Sequence, residues 1–393
     1  MFLKNENPMN NSLDVSIVMP CLNEALTLER CIDQAMEALR VHGLNGEVII
    51  SDNGSTDGSQ EIALRKGARL INATKRGYGF ALQEGIGQAR GRYVMMGDAD
   101  CSYDFGHVNR FVSKLDEGYD LVMGNRFLGG IKPGAMPWKN RFIGNPILSL
   151  IGRVLFGSPA GDFHCGLRAF RKEAYEKMAL RTGGMEFASE MVIKATMMKL
   201  RISEIPTTLS PDGRDRPPHL RPWRDGWRHL RFMFLFSPKW LFFVPGVFLM
   251  LIGAILTGLI LPGPLRLGGV TLDLNTLLFS SFAIIIGFQS VAFSIMAKTF
   301  AVQNGLMPSD PMSDRIMRFV SMEKGLVTGL LMALLGFALS VAAVAFWGMH
   351  SFGPLSPYES LRLVIPGGLL LILGIQMALN GCFIGIMGLR LSK

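Results

Sequence analysis

Short apolar runs alternate with amphipathic stretches through the first part of the chain. Five of these runs, each bounded by turn residues, predict β-strands at residues 15–20, 47–51, 68–72, 93–98 and 120–124. The stretches between them have the helical spacing of apolar residues, as in residues 25–39 and 78–89. Strands that alternate with helices predict an α/β fold, with a mostly parallel sheet and helices on both of its faces.

The pattern changes after Lys239, where four apolar runs are each long enough to cross a membrane. These runs are residues 240–261, 274–297, 326–347 and 363–389, and a bilayer core takes about 20 residues of helix. Proline and glycine inside them do not exclude helices in a membrane. We therefore predict an α/β domain at 12–213, a basic and aromatic juxtamembrane segment at 214–239 and a four-helix transmembrane region at 240–393.

Two carboxylates stand where the fourth predicted strand ends. Asp98 and Asp100 flank one small residue, directly after the apolar run that begins at Tyr93. Oxygen ligands spaced in this way can hold a hard divalent cation, and the cation can clamp a diphosphate. An acidic turn that caps the next helix is the alternative, and it would be preferred if the motif stood alone.

Further polar residues follow the first two predicted strands. Asn23 and Glu24 come after the first strand, and Asp52 and Asn53 come after the second. The carboxyl ends of parallel strands meet at one edge of a sheet, which is where ligands bind in open α/β folds. Three polar clusters at one edge favour a nucleotide pocket over an isolated turn.

Five short motifs follow one another in the region 12–238. They are residues 19–24 (MPCLNE), 52–58 (DNGSTDG), 98–100 (DAD), 124–127 (GNRF) and 161–168 (GDFHCGLR). Together they resemble glycosyltransferase family 2, and within it the dolichyl- or polyprenyl-phosphate sugar synthases. The resemblance implies the GT-A nucleotide-sugar-binding fold and an inverting sugar transfer with Mg²⁺ or Mn²⁺. Many members have Asp at the position of Asn53, and many dolichyl-phosphate mannosyltransferases have Gln at that of Ser102.

The resemblance also implies roles for individual residues. Asp98 and Asp100 are the expected metal ligands, with Asp100 also catalytic, and Asp162 matches the residue proposed as the base in that family. The residues expected to border the nucleotide-sugar are Pro20, Asn23, Glu24, Asp52, Asn53, Lys75, Asp98 and Ala99.

Phosphate chemistry changes the role that we expect for Asp162. A phosphate monoester has a second pKa of about 6, so a lipid phosphate acceptor is mostly a dianion at pH 7 and has no proton to lose. We therefore expect Asp162 to orient groups in the pocket, with base catalysis as the lesser alternative. Arginine binds phosphate oxygens in a bidentate fork. The candidates are Arg126, Arg141, Arg168, Arg214 and Arg216, and we expect Arg126 to be catalytic as well.

Basic residues set the expected orientation in the membrane. The 40 Lys and Arg residues outnumber the 31 Asp and Glu residues, and many lie in 214–239 and between the second and third apolar runs. The positive-inside rule therefore predicts that the α/β domain, that connection and the C-terminus are cytoplasmic. We interpret the net charge of +9 as a signal for a membrane surface rather than nucleic acid. The five cysteines include no Cys-x-x-Cys pair, and a cytoplasmic domain would keep them reduced.

These observations predict a multi-pass enzyme of the inner (cytoplasmic) membrane. It would transfer a sugar from a UDP- or GDP-linked donor to a polyprenyl phosphate, such as undecaprenyl or dolichyl phosphate. The sequence is also compatible with a homo-oligomer. A processive polysaccharide synthase is the alternative enzyme, although the chain has no Gln-x-x-Arg-Trp segment. A non-catalytic lipid-linked sugar carrier or flippase is the alternative from another class, and the intact pair of Asp98 and Asp100 argues against it.

Overall fold

The computed structural model describes residues 13–215, 222–309 and 321–388, and it divides into two compact units. The first unit ends at Met233 and the second begins at Phe234, within the helix Pro222–Leu235. This division falls inside the predicted juxtamembrane segment. Arg216, one of the predicted phosphate ligands, lies outside the described residues.

A seven-stranded sheet forms the centre of the first unit. In chain order its strands are β1 (Val15–Cys21), β2 (Gly46–Asp52), β3 (Arg69–Asn72), β4 (Tyr93–Met96), β5 (Leu121–Asn125), β6 (Arg168–Arg171) and β7 (Ile202–Pro206). Across the sheet the order is β3-β2-β1-β4-β6-β5-β7, and β6 runs antiparallel to both of its neighbours. The other described pairs are parallel, which confirms the predicted mostly parallel sheet.

Helices connect these strands. The described helices of the first unit are α1 (Ala25–Val41), α2 (Ser59–Arg65), α3 (Tyr78–Gly87), α4 (Val108–Asp116), α5 (Arg126–Gly129), α6 (Asn145–Phe156), α7 (Lys172–Met178), α8 (Phe187–Met197) and α9 (Pro222–Leu235), which ends just past the division. A 3₁₀ turn at Phe105–His107 precedes α4, and a π-helical turn at Asn140–Gly144 leads into α6.

The apolar pattern of the sequence explains how these elements pack. Every residue of β4 and of β5 is buried, as expected for central strands covered on both faces. The helix α1 buries Leu28, Ile32, Ala35 and Leu39, whose spacing of three or four residues places them on one helical face. These side chains join the main hydrophobic core of the unit.

The strand β6 is not predicted from the sequence. It is only four residues long, Arg-Ala-Phe-Arg, and has a charged residue at each end. In the structure Ala169 pairs with Met95 of β4 on one side and with Val122 of β5 on the other. The conformation of β6 is therefore decided by its hydrogen bonds to β4 and β5 and not by the local preference of its four residues.

The second unit consists mainly of long apolar helices. They are α10 (Val244–Ile260), which follows a π-helical turn at Lys239–Phe243, α11 (Leu274–Gln303), α12 (Met322–Met349) and α13 (Pro357–Gly388). A hairpin of β8 (Leu265–Leu267) and β9 (Val270–Leu272) connects α10 to α11. Each of the four helical segments is long and apolar enough to cross a membrane, which confirms the four predicted apolar helices.

Candidate active site

A cleft of about 1110 Å³ opens in the first unit where β1, β2 and β4 end. Residues at the ends of these strands or just after them line it, and among them are Pro20, Asn23, Glu24, Asn53, Asp98, Ala99 and Asp100. The fold therefore brings together the three polar clusters that the sequence placed at one edge of the sheet.

Asp98 and Asp100 border the cleft just beyond β4. The hydroxyl of Tyr78 donates to Asp98 Oδ1 at 3.1 Å. Ser102 donates to Asp100 Oδ1 through its amide N at 3.0 Å and its Oγ at 2.5 Å. Burial, together with the nearby charge of Asp100, raises the pKa of Asp98 to about 7. Two neighbouring carboxylates in such surroundings favour a cation beside them.

The chemistry of this pair fits Mg²⁺ or Mn²⁺, which prefer hard oxygen ligands. In the part of the chain that the structure describes, no group of three or more His, Cys, Asp or Glu side chains could hold a metal ion. A site for Mg²⁺ commonly has only one or two protein carboxylates, and substrate phosphate and water fill the other positions. Asp98 and Asp100 could hold a cation together with a diphosphate in this way.

The guanidinium of Arg214 lies at this acidic end of the cleft. Its Nη1 is 3.0 Å from Asp100 Oδ2. Its Nε and Nη2 donate to the carboxylate of Glu24, with distances between 2.6 and 3.0 Å. Glu24 thus holds Arg214 beside the acid pair. Arg214 was predicted to bind the acceptor phosphate, but it lies among residues that were predicted to bind the donor.

Three predicted donor residues differ in their access to the cleft. Asn53 lines it, and its Nδ2 donates to the carbonyl of Lys75 at 2.9 Å. Lys75 itself is exposed and lies outside the lining. Asp52 is buried beneath the cleft, and its Oδ2 accepts from the amides of Gly54 and Ser55 at 3.0 Å each. Asp52 therefore shapes the turn after β2 and does not border the cleft directly.

Arg126 and Asp162 form a buried ion pair at the cleft. Asp162 Oδ2 accepts from the amide N of Arg126 at 3.0 Å and from its Nε at 2.7 Å, and Oδ1 accepts from Nη2 at 2.7 Å. Asp162 is fully buried, whereas Arg126 is 8% exposed and lines the cleft. Both carboxylate oxygens of Asp162 are engaged, which fits a residue that orients Arg126 better than it fits a base.

Sequence reasoning missed Glu204, a carboxylate in the middle of β7. Its Oε1 accepts from the amides of Gly161 and Asp162 at 2.8 and 2.9 Å, and its Oε2 accepts from Asn125 Nδ2 at 3.0 Å. Glu204 therefore fixes the backbone that carries Asp162. An acidic residue between the apolar residues of a short strand was the available signal.

Two other predicted phosphate ligands do not present their guanidinium groups to the cleft. Arg168 is fully buried and donates to the backbone carbonyls of Phe163, Cys165 and Ala188 at 2.5 to 3.2 Å. Arg141 is half-buried and lies outside the lining. For Arg168 the structure corrects the predicted role, because its donors are used to hold the chain around β6 and α8.

Two histidines at the cleft are joined through a serine. Ser189 Oγ lies 3.3 Å from His164 Nε2 and 2.8 Å from His229 Nδ1, and the two imidazole rings are 4.6 Å apart. Burial lowers the pKa of both histidines, so both rings are neutral at pH 7. This contact links the motif at residues 161–168 with α9.

The helical segment from Asn140 to Phe156 forms one wall of the cleft and has an unusual outer face. Asn140, Gly144, Asn145 and Leu148 line the cleft. The apolar side chains exposed elsewhere on this segment are Phe142, Ile143, Ile147, Leu150 and Val154. Helices at a water-exposed surface normally present polar side chains there. Residues 121–160 contain no Asp or Glu, so this apolar face is accompanied only by basic charge.

Comparison with known proteins identifies the class of enzyme. Residues 16–179 match glycosyl transferase family 2, and residues 295–388 match the glycosyltransferase family 2 C-terminal transmembrane region. The low-salt glycan biosynthesis hexosyltransferase Agl6 of Haloferax volcanii is 34% identical over 377 residues, which are 95% of this chain and 89% of that protein. The chain therefore belongs to glycosyltransferase family 2 and is a glycosyltransferase.

Two further similarities cover about half of the chain or slightly more. The dolichyl-phosphate hexose transferase of Haloferax volcanii is 30% identical over 194 residues, which are 49% of this chain and 81% of that protein. Among solved structures, glucosyl-3-phosphoglycerate synthase from Mycobacterium tuberculosis has a TM-score of 0.44 and 22% identity, and the match covers 60% of this chain and 84% of that one.

Proposed function

We propose that this enzyme transfers a hexose from a UDP- or GDP-linked donor to a polyprenyl phosphate, with inversion at the anomeric carbon and with Mg²⁺ or Mn²⁺. One observation carries the proposal. A single cleft combines the acid pair Asp98 and Asp100, the oriented guanidinium of Arg126 and a helical wall whose outer face is apolar. The relative named as a dolichyl-phosphate hexose transferase supports the same acceptor class.

The acidic end of the cleft suits the diphosphate of the donor. Ser102 and Tyr78 fix the carboxylates of Asp100 and Asp98 through hydrogen bonds. A divalent cation held there would neutralise the charge that develops on the leaving diphosphate. The protein contributes by holding both carboxylates in place before the donor arrives.

Arg126 suits the phosphate of the acceptor. Asp162 holds the guanidinium of Arg126 in one orientation, so little side-chain entropy remains to be lost when a phosphate binds. An ionised phosphate oxygen then attacks the anomeric carbon from the face opposite the donor diphosphate. The new carbon–oxygen bond forms as the bond to the diphosphate breaks, and the nucleoside diphosphate leaves. No general base is needed, because the attacking phosphate is already a dianion.

The apolar wall suits a lipid acceptor. Side chains such as Phe142 and Leu150 are more than one-third exposed on a segment without acidic residues, a composition typical of helices at a membrane surface. Four apolar helices in the second unit support the same location. We propose that the first unit lies on the cytoplasmic side, as the distribution of basic residues indicates.

The reaction can be tested with the full-length protein in detergent. The protein is incubated with undecaprenyl or dolichyl phosphate and a panel of UDP- and GDP-hexoses, and lipid extracts are analysed by mass spectrometry. We expect one hexose to be added to the lipid phosphate and to be released by mild acid, with little change in rate between about pH 7 and 8.5. Transfer to a free alcohol or to a growing polysaccharide, but not to lipid phosphate, would contradict the proposal.

The orientation has its own test. Single cysteines are introduced near Gly268, Ser356 and Ser313 and labelled in intact cells with an impermeant maleimide; Ser313 lies outside the described residues. We expect labelling at the first two positions and not at the third. The reverse pattern would show that the first unit faces the other side of the membrane.

A further inference from the structure

Two cysteines meet directly behind the acid pair. Cys31 lies on α1, and Cys101 immediately follows Asp100 in the chain. Their Sγ atoms are 3.5 Å apart, and the amide N of Cys101 is 3.3 Å from Cys31 Sγ. They are 70 residues apart in the sequence, so only the fold brings them into contact.

The turn that carries Asp100 is tied to α1 at the same place. Thr27 Oγ1 donates to the carbonyl of Ala99 at 2.7 Å, and Cys101 Sγ lies 3.6 Å from the carbonyl of Thr27. Cys101 has a φ of 64°, a left-handed conformation that is uncommon for a residue with a side chain. The backbone of Cys101 is therefore held in one specific arrangement directly beside Asp100.

The two thiols differ in access. Cys31 is 1% exposed, whereas Cys101 is half-buried. A small oxidant such as a peroxide therefore reaches Cys101 first, and Cys31 is already in contact with it. An accessible thiol beside a second thiol is the usual arrangement in reversible cysteine oxidation.

We propose that Cys31 and Cys101 are an oxidation site, at which a peroxide converts the two thiols into a reversible disulfide that lowers transfer activity. The Cys101 thiol gives up its proton, its sulfur attacks hydrogen peroxide and becomes a sulfenic acid, and the released hydroxide takes up the proton lost by Cys101 and leaves as water. Cys31 sulfur then attacks the sulfenic sulfur, the S–S bond forms, and hydroxide leaves with the proton of Cys31 as a second water. Two electrons pass from the sulfurs to the peroxide.

The loss of activity follows from the distance that the sulfurs must move. A disulfide is about 2.05 Å long, so the two Sγ atoms approach each other by roughly 1.5 Å. That movement pulls the turn toward α1 and displaces Asp100 from Ser102 and Arg214, its partners at the cleft. This step rests on the proposed function of Asp100 in holding the donor, whereas the disulfide itself does not.

The experiment uses the purified full-length protein in detergent, treated with hydrogen peroxide and then with an alkylating agent. Tryptic digestion without reduction should yield peptide 31–40 joined to peptide 93–110, because Arg30, Arg40, Arg92 and Arg110 bound these segments. We expect hexose transfer to fall at least fivefold and to return after dithiothreitol.

Two variants serve as controls. Cys31→Ser should retain basal transfer, form no linked peptide and lose the reversible inhibition. Cys382→Ser, which removes a thiol from the second unit, should respond to peroxide as the unaltered protein does. Absence of the linked peptide would overturn the oxidation site whatever the true acceptor is. A linked peptide without loss of activity would overturn its effect on transfer.

Discussion

The two units of the chain bury different kinds of group. In the first unit, several charged side chains are buried in pairs, such as Arg126 with Asp162 at 2.7 Å and Lys194 with Glu190 at 2.9 Å. In the second unit, α12 and α13 meet at glycines. A Cβ added to Gly329 would lie only 2.6 Å from a backbone oxygen of α13.

This difference follows from what each unit needs in order to be stable. A site that handles phosphates must keep charges in partly dry surroundings, and an unpaired buried charge is strongly destabilising. Apolar helices in lipid gain no hydrophobic energy by meeting one another, so close packing at small residues holds them together. The glycines at 329 and 336 on α12, and at 367, 374 and 381 on α13, provide such contacts. The first unit therefore pairs several of its buried charges, whereas in the second unit close backbone approach at glycines brings α12 and α13 together.

The largest effect is expected from removing the acid pair. Asp100→Asn should reduce transfer by at least about 100-fold, because in the proposed function the site then loses one of the two carboxylates that would hold the cation beside the diphosphate. Asp98→Asn and addition of EDTA should act in the same direction. Asp33→Asn, at an exposed position on α1, is the matched control and should leave transfer unchanged. Full turnover in EDTA would exclude a role for the metal.

A smaller loss is expected at the buried ion pair. Arg126→Lys keeps the charge but removes the bidentate fork, so transfer should fall about 10- to 100-fold while the KM for the nucleotide-sugar stays within twofold. Arg126→Ala is less informative, because it leaves the buried carboxylate of Asp162 unpaired and destabilises the unit. Steady-state kinetics with both substrates measures the effect. An equal loss of donor affinity would place Arg126 at the donor instead.

The stability of the second unit should depend on the size of the side chains between α12 and α13 rather than on their charge. Gly329→Leu should destabilise the contact of α12 with α13 by about 1–3 kcal/mol, because the added side chain meets backbone atoms. Gly258→Leu on α10 is the matched control, since nothing lies within 4 Å of an added Cβ there. Thermal unfolding in detergent compares the two variants. Equal stability of both would show that the glycine contacts are not needed.

The smallest effect is expected from the two histidines. Burial lowers the pKa of His164 and His229 in the folded protein, so on acidification below about pH 6.5 the unfolded chain takes up protons first. Stability of the first unit should therefore be complete above that pH and should fall below it, by less than about 2 kcal/mol at pH 6. His229→Gln should reduce this dependence. An unfolding temperature that does not change between about pH 5.5 and 7.5 would contradict a lowered pKa of the two histidines in the folded protein.

Much of the fold could be predicted from local pattern. The strands at 15–20, 47–51 and 93–98 were placed within about three residues of β1, β2 and β4, because a short apolar run between turn residues has few other stable conformations. The four apolar helices were predicted for a similar reason, since length and composition alone decide whether a segment can cross a bilayer. The position of Asp98 and Asp100 at the cleft could be predicted because the end of a strand fixes where the following side chains emerge from the sheet.

Other features depended on partners that are distant in the chain. Arg168 has the residue type of a phosphate ligand, yet three backbone carbonyls take up its donors inside the protein. Glu204 has no motif of its own and acts on a turn more than 40 residues away. The acid pair and Glu24 follow strands near the start of the chain, and Arg214 reaches Glu24 across 190 residues. A sequence pattern records the preferences of neighbouring residues, whereas the partner of a buried charge is chosen by which elements the folded sheet brings within hydrogen-bonding distance.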